Sequence, residues 1–140
     1  MMSRRTTVPV AVLGLVVLGI GLLGLPPGPA ALPPGASALT VATEAPEWRL
    51  PGMMSCPLAL LGPVQIERAG GAIVFVSIVS GARGSIVWPH GFSGRLVDGH
   101  AELVEPDGTV VGREGDTLSH IGGGTAPDSA FHVCGSGPWN

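Results

Sequence analysis

Turn-forming dipeptides recur at short intervals through the second half of this chain, and they constrain its fold more than any other feature. The signals are Gly70-Gly71, Asp98-Gly99, Asp107-Gly108 and Glu114-Gly115. Asp-Gly and Gly-Gly pairs favour hairpins because glycine accepts the positive φ that primed turns demand. No stretch past Ser55 repeats its apolar residues at a helical period. The sequence therefore predicts an all-β domain.

The segments between the turns have the composition of short strands. Val64–Arg68 alternates apolar and polar residues, as does His100–Glu105, where Ala101 and Leu103 share one face. Ala72–Val79 is a β-branched run without alternation, which predicts a strand covered on both faces. Gly122–Gly124 is expected to be a flexible loop. Roughly five or six short strands are typical of a small barrel or sandwich, and an OB-like barrel is the first expectation.

The amino end predicts export. Arg4 and Arg5 precede Val8–Leu25, a run of eighteen residues without a charge. A basic start followed by an apolar run is the pattern of a signal peptide, and small residues at Ala30 and Ala38 offer two cleavage sites. An uncleaved membrane anchor is the alternative, because eighteen apolar residues just suffice to cross a bilayer. Both interpretations place the remainder of the chain outside the cytoplasm, either secreted or facing outward at the membrane.

Composition then divides the chain into three parts. Residues 1–38 are the signal peptide or anchor with a Pro-rich linker, residues 39–55 are a linker or arm, and residues 56–140 are the small β domain. Past Ala38 the chain carries five arginines against ten acidic residues and has no lysine. That acidic balance argues against a nucleic-acid partner, because nucleic-acid binders present basic faces. It argues equally against an anionic membrane surface.

Two cysteines, Cys56 and Cys134, lie near opposite ends of the predicted domain. In an oxidising compartment an isolated pair most often forms a disulfide, so we predict that these two are joined. A metal pair or redox thiols are the alternatives. A C-x-x-C motif would support either alternative, but the chain contains none.

Large side chains are concentrated in the segment "VWPHGFSGRL", Val87–Leu96, of a chain with only six aromatic residues. As a ligand site, Trp88, His90 and Phe92 would form an aromatic loop that captures a partner. As a core plug, Trp88 and Phe92 would be buried at a strand end and His90 would project outward. The plug is favoured because large aromatics supply most of the core area in a small domain.

Catalytic and metal-binding signals are weak. The four histidines (His90, His100, His120 and His132) have neither helical i, i+4 spacing nor H-x-H alternation, so no metal site is predicted. Glu114 and Asp116 are two residues apart and would share a face as an acid–base pair, but they flank a turn glycine, where solvated carboxylates are ordinary. "GFSG" is not a nucleophile elbow, and the triple glycine has no Lys for a phosphate loop.

The order of several spaced motifs resembles small exported bacterial proteins of unknown function. These have a Cys, then V-W-P-x-G-F, D-x-x-G-x-V-V-A-x-x-G-D, G-G-G and a late C-x-G-P. The matching positions over residues 56–138 are Cys56, Val87-Trp88-Pro89, Gly91-Phe92, Asp107-Gly108, Val110-Val111, Gly115-Asp116, Gly122–Gly124, Cys134 and Gly137-Pro138. Gly112 departs from a common Ala, and the chain ends at Asn140 where such proteins often continue into a last strand. The resemblance implies no activity.

These observations favour a non-enzymatic binding or structural module at the cell exterior. No catalytic residue, metal or cofactor is predicted, and the partner is left open apart from possible membrane anchoring through residues 8–25. The alternative is a small metal-dependent or hydrolytic enzyme that uses the His and Asp residues near the strand ends. Convergence of His90, Asp116 and His120 would favour that alternative.

Overall fold

The computed structural model describes residues 26–46, 59–134 and Trp139. Over these residues the chain is all-β, as predicted, with no helix. The strands number twelve, more than expected, because several contain only two or three residues. They are β1 (Ser37–Leu39), β2 (Ala59–Leu61), β3 (Val64–Ala69), β4 (Ala72–Ser77), β5 (Arg83–Gly84), β6 (Ile86–Val87), β7 (Ser93–Val97), β8 (His100–Val104), β9 (Val110–Arg113), β10 (Thr117–Leu118), β11 (Ile121–Thr125) and β12 (Phe131–Val133).

The strands form three four-stranded sheets. Their orders are β1-β7-β8-β9, β10-β3-β4-β5 and β2-β11-β12-β6. Neighbours within the sheets are antiparallel except β12 and β6, which run parallel. None of these sheets closes on itself, so the pairings of the described strands do not confirm the expected OB-like barrel.

The β3–β4 hairpin follows the predicted turn at Gly70-Gly71, with Gly70 at φ +60°. The prediction that Ala72–Val79 is one strand covered on both faces is wrong. β4 ends at Ser77 and alternates, with Ile73 and Phe75 buried and their neighbours half-buried. Ile78 and Val79 lie in the following turn and are 53% and 83% exposed. The strand stops there because the carbonyl of Ser77 accepts a hydrogen bond from Gly81 N (2.8 Å), which closes a tight turn.

The turn at Asp98-Gly99 confirms the hairpin prediction. Asp98 (φ +49°) and Gly99 (φ +81°) both take positive φ, as a two-residue primed turn requires. The second Asp-Gly pair, Asp107-Gly108, does not form a two-residue primed turn. Gly108 alone takes positive φ, and it closes a longer loop in which its N–H bonds the carbonyl of Glu105 (2.9 Å). Gly115 (φ +94°) lies in the turn predicted at Glu114-Gly115, between β9 and β10.

The prediction of a flexible loop at Gly122–Gly124 is wrong. These residues belong to β11, which pairs with β12 on one side and β2 on the other. A Cβ on Gly123 would overlap the carbonyl oxygen of His132 and lie 2.8 Å from the ring of Phe131. A glycine inside a strand often marks a site where another backbone approaches closely. The low strand propensity of glycine therefore led to the wrong prediction of a loop.

Part of the predicted linker is also structured. β1 pairs with β7, and beyond it Thr40 bridges to Ala72 of β4 while Thr43 bridges to Trp88. Residues 37–44, which we call the N-terminal arm, therefore contact all three sheets. The arm crosses Gly94 so closely that a Cβ there would lie 2.9 Å from the Leu39 carbonyl and 2.8 Å from Val41. Of the two alternatives for residues 39–55, a linker or an arm, the described part up to Glu44 packs as an arm.

The core lies where the three sheets meet. Its fully buried large side chains are Trp88, Ile66, Leu103, Leu118, Ile121 and Val104. No helix in the described part of the chain is long and apolar enough to cross a membrane. The predicted signal or anchor at Val8–Leu25, and Cys56 of the predicted disulfide, lie outside the described residues.

Candidate functional site

Four aromatic rings form one cluster around Trp88, at the end of β6. The Trp88 ring stacks on Phe92 with centroids 5.4 Å apart, and it meets Phe75 and Trp139 at 5.6 and 5.5 Å. Trp88 has no exposed surface and Phe92 only 8%. The predicted burial of both residues is confirmed. A ligand could reach Trp88 only if the cluster opened, which favours the core plug over the ligand site.

Two polar details of this cluster were not foreseen. Trp139 donates its indole N–H to Glu105 Oε1 (3.0 Å), and its carbonyl accepts from Ser119 N (3.2 Å), so the last tryptophan is fixed into the core. The indole N–H of Trp88 has no acceptor within the described residues. His90, predicted to project outward, is half-buried beside the cluster. Its proposed ligand contact stays a prediction.

Two apolar cavities flank the segment Arg83–Val87, which precedes Trp88. The first has a volume of about 270 Å³ and the second about 200 Å³. Gly84, Ser85 and Ile86 contribute to both. The first is also lined by Leu61, Gly62, Val64, Ser77, Thr125, Ser129 and Phe131, and the second by Ala42, Ile73, Val74, Phe75, Arg83 and Val87. Both are partly open to solvent and lined mainly by carbon.

Local geometry explains why these cavities exist. β5 and β6 contain only two residues each, so little main chain covers the adjoining ends of β4 and β12. Phe131 N donates to the Ser85 carbonyl (2.8 Å), which holds the short segment in place without filling the space beside it. Both cavities were missed at the sequence level, because nothing in "GARGSIV" indicates that its neighbours stay uncovered.

A buried carboxylate organises the outer face of β7, β8 and β9. Glu102 on β8 is 5% exposed, and it accepts hydrogen bonds from Arg95 on β7 (2.9 Å) and Arg113 on β9 (2.8 Å). Burial alone would raise the pKa of Glu102, but the hydrogen bonds from Arg113 and Arg95 hold it below its ordinary value. Without Arg95 and Arg113, the carboxylate of Glu102 would be a buried and unpaired charge, which is strongly destabilising.

His132 on β12 lies between two carboxylates. Its Nδ1 is 3.1 Å from Glu44 Oε1 on the N-terminal arm, and its Nε2 is 3.1 Å from Asp128 Oδ2. The hydrogen bonds to Asp128 and Glu44 raise the pKa of His132 above its ordinary value. Because both ring nitrogens contact carboxylates, neither is available as a base for a substrate in this arrangement. The contact links the arm to the third sheet.

The other candidate catalytic residues do not come together with His132. Glu114 accepts from Ala101 N (3.1 Å) and Asp116 from Arg113 N (2.8 Å), so both carboxylates of the proposed acid–base pair satisfy backbone donors. His100 and His120 are exposed. Within the described residues, no group of three His, Cys, Asp or Glu side chains could hold a metal ion.

Cys134 follows β12 and is half-buried, with its N–H donating to the Gly122 carbonyl (3.0 Å). Its predicted pairing with Cys56 stays a prediction, because Cys56 lies outside the described residues.

Comparisons with known proteins find no match for this chain, whether to protein-family models, to curated proteins or to solved structures. The two apolar cavities beside Arg83–Val87 are therefore the candidate functional site on geometry alone.

Proposed function

We propose that this protein is exported and acts at the cell exterior as a non-enzymatic binding module that accepts apolar groups in the two cavities flanking Arg83–Val87. The observation that carries the proposal is a pair of partly open, carbon-lined cavities at the edge of an otherwise packed core. Ligand sites are typically concave and mostly apolar, with a few polar groups that fix orientation. Ser77, Ser85 and Thr125 are such groups in the first cavity.

The distribution of charged side chains supports binding over catalysis. Glu102 is paired with two arginines, Glu114 and Asp116 bond backbone amides, and His132 contacts two carboxylates. Each of these groups stabilises the fold through a partner of its own. The cavity walls, by contrast, offer apolar and hydroxyl groups and one charged side chain, Arg83.

Uptake of a neutral apolar dye tests the binding proposal. N-phenyl-1-naphthylamine fluoresces strongly when it leaves water, so the folded protein should raise its emission in a saturable manner. The variant Ser85→Trp places a large ring at one of the three residues common to both cavities. It should weaken binding at least about tenfold, since filling a pocket removes the apolar surface available to the dye.

Ser119→Trp is the matched control, because Ser119 is an exposed serine outside both cavities. It should bind the dye like the parent protein. Absence of saturable binding, or equal binding by both tryptophan variants, would contradict the proposal.

The export part of the proposal rests on Arg4, Arg5 and the apolar run Val8–Leu25. Alkaline phosphatase fused after Asn140 is active only outside the cytoplasm, so the full chain should give activity and a chain lacking residues 1–25 should not. Equal activity from both fusions, or none from the full chain, would contradict export. The resemblance to small exported bacterial proteins over residues 56–138 agrees with this proposal.

A further inference from the structure

The two cavities differ in one charged residue. Arg83 lines the second cavity together with apolar groups of β4, β6 and the N-terminal arm. It belongs to β5, a two-residue strand at the edge of its sheet, and it is exposed to solvent. A cation therefore lies beside a carbon-lined space that opens to water.

Arg83 also differs from the other arginines that the structure describes in its distance from carboxylates. Arg95 and Arg113 bond Glu102 at 2.8 Å, and Arg68 lies 3.8 Å from Glu114. Among the described residues, Arg83 has no carboxylate within 4.0 Å. This is unexpected in a chain with ten acidic residues and seven basic ones, where carboxylates are in excess.

We propose that the second cavity binds an anionic amphiphile, with the aliphatic tail between Ile73, Phe75 and Ile86 and the anionic head on the guanidinium of Arg83. This inference rests on the proposed binding function and names the class of ligand. Arginine suits the head group because its planar fork pairs with carboxylate or phosphate oxygens through two hydrogen bonds. The apolar walls supply the remaining affinity by removing the tail from water.

The head-group preference can be measured with three ligands that share a decyl tail. They are decanoate, decyltrimethylammonium and decyl maltoside, which are anionic, cationic and neutral. Isothermal titration of the folded protein should show decanoate binding about fivefold more tightly than the neutral ligand, the size of one exposed ion pair, and the cation binding most weakly. The preference should shrink at high salt.

Three variants then assign the preference to its residue. Arg83→Gln should bind decanoate and decyl maltoside equally, Arg83→Lys should keep a preference for the anion, and Arg68→Gln should behave like the parent. Arg68 is the control because it is an exposed arginine that lines neither cavity.

The outcomes separate this inference from the proposed function. If all three ligands bind the parent equally, or if Arg83→Gln keeps the full anion preference, the head-group assignment is wrong while apolar binding stands. If none of the decyl ligands binds, and the neutral dye does not bind either, both proposals are wrong.

Discussion

The two ends of the segment Arg83–Trp88 differ in how tightly the apolar side chains around them pack. At the Trp88 end, four aromatic rings lie with centroids 5.4 to 6.2 Å apart and exclude water. At the Arg83 end, smaller side chains and two rings leave two partly open cavities: Phe131 lines the first, and Phe75, which also belongs to the cluster, lines the second. The chain has only six aromatic residues, and four of them are concentrated in the cluster. We infer that one end holds the fold together while the other leaves space for a ligand.

The largest expected effect is at the packed end. Trp88→Ala should lower the free energy of unfolding by about 3–5 kcal/mol, because it empties the centre of the ring cluster. Chemical denaturation measures this change. If the variant fails to fold, Trp88→Phe gives a smaller loss that can still be measured. An unchanged unfolding midpoint for Trp88→Ala would show that the cluster does not stabilise the fold.

The predicted disulfide would tie the cavity end to the start of the domain, since Cys134 directly follows β12, whose Phe131 lines the first cavity. Reduction should lower the free energy of unfolding by about 2–4 kcal/mol, because the bridge restricts the unfolded chain. Mass spectrometry of non-reduced peptides, from protein purified without a reductant, should find Cys56 and Cys134 joined. Two free thiols would contradict the prediction.

A pair of glycine variants tests whether the backbone near the cavities is rigid. Gly123→Ala should destabilise by roughly 1–3 kcal/mol, because its Cβ would overlap the His132 carbonyl and force neighbouring strands apart. Gly122→Ala is the matched control, since a Cβ there meets nothing within 4 Å. Thermal unfolding of both variants measures the difference. Equal midpoints would mean that the backbone of β11 shifts at little cost to accept the added Cβ, and that this part of the structure is not rigid.

The comparison between these two glycines also explains what the sequence can predict. The turns at Gly70-Gly71 and Asp98-Gly99 depend on the φ angles of adjacent residues, so they follow from local composition. Gly123 depends on the approach of a strand that comes later in the chain, which no local pattern records. The strand pairing of residues 37–44 and the packing of Trp139 could not be predicted for the same reason. The arm pairs with residues far along the sequence, and Trp139 packs on the rings of Trp88 and Phe92, which lie in one distant segment.

Of the candidate site residues, Trp88 and Phe92 were correctly predicted to be buried because few aromatic residues were available to fill a core. The cavities could not be predicted. They result from the shortness of β5 and β6, and strand ends are determined by pairing with other strands rather than by the residues in the strand itself.

A smaller effect is expected at the contact between the arm and the third sheet. The hydrogen bonds to Asp128 and Glu44 raise the pKa of His132 in the folded state above the ordinary 6.5. The contact therefore contributes its full stabilisation below the ordinary pKa and loses it as the pH rises through the higher folded value. The melting temperature of the parent should fall more steeply above pH 6.5 than that of His132→Asn.

His100→Asn is the control for this pH dependence, because His100 is exposed and makes no contact with a carboxylate among the described residues. Its profile should match that of the parent. A parent profile that matches His132→Asn instead would show that the Glu44–His132–Asp128 contact does not hold the arm.

The smallest effect is expected at His90. This side chain is half-buried beside the cluster and has no hydrogen-bond partner among the described residues, so His90→Ala should change the free energy of unfolding by no more than about 0.5 kcal/mol. Chemical denaturation beside Trp88→Ala gives the contrast directly. A loss comparable to that of Trp88→Ala would extend the packed end to include His90.

The division between a packed end and a binding end is tested most directly by the dissociation constant of N-phenyl-1-naphthylamine for two variants, Ser85→Trp and Phe92→Leu. Thermal unfolding first confirms a temperature at which both are folded. Phe92→Leu should lower the melting temperature and bind the dye like the parent, whereas Ser85→Trp should keep the melting temperature and bind at least about tenfold more weakly. Weaker binding by Phe92→Leu together with unchanged binding by Ser85→Trp would contradict the account, because the aromatic cluster would then be the ligand site.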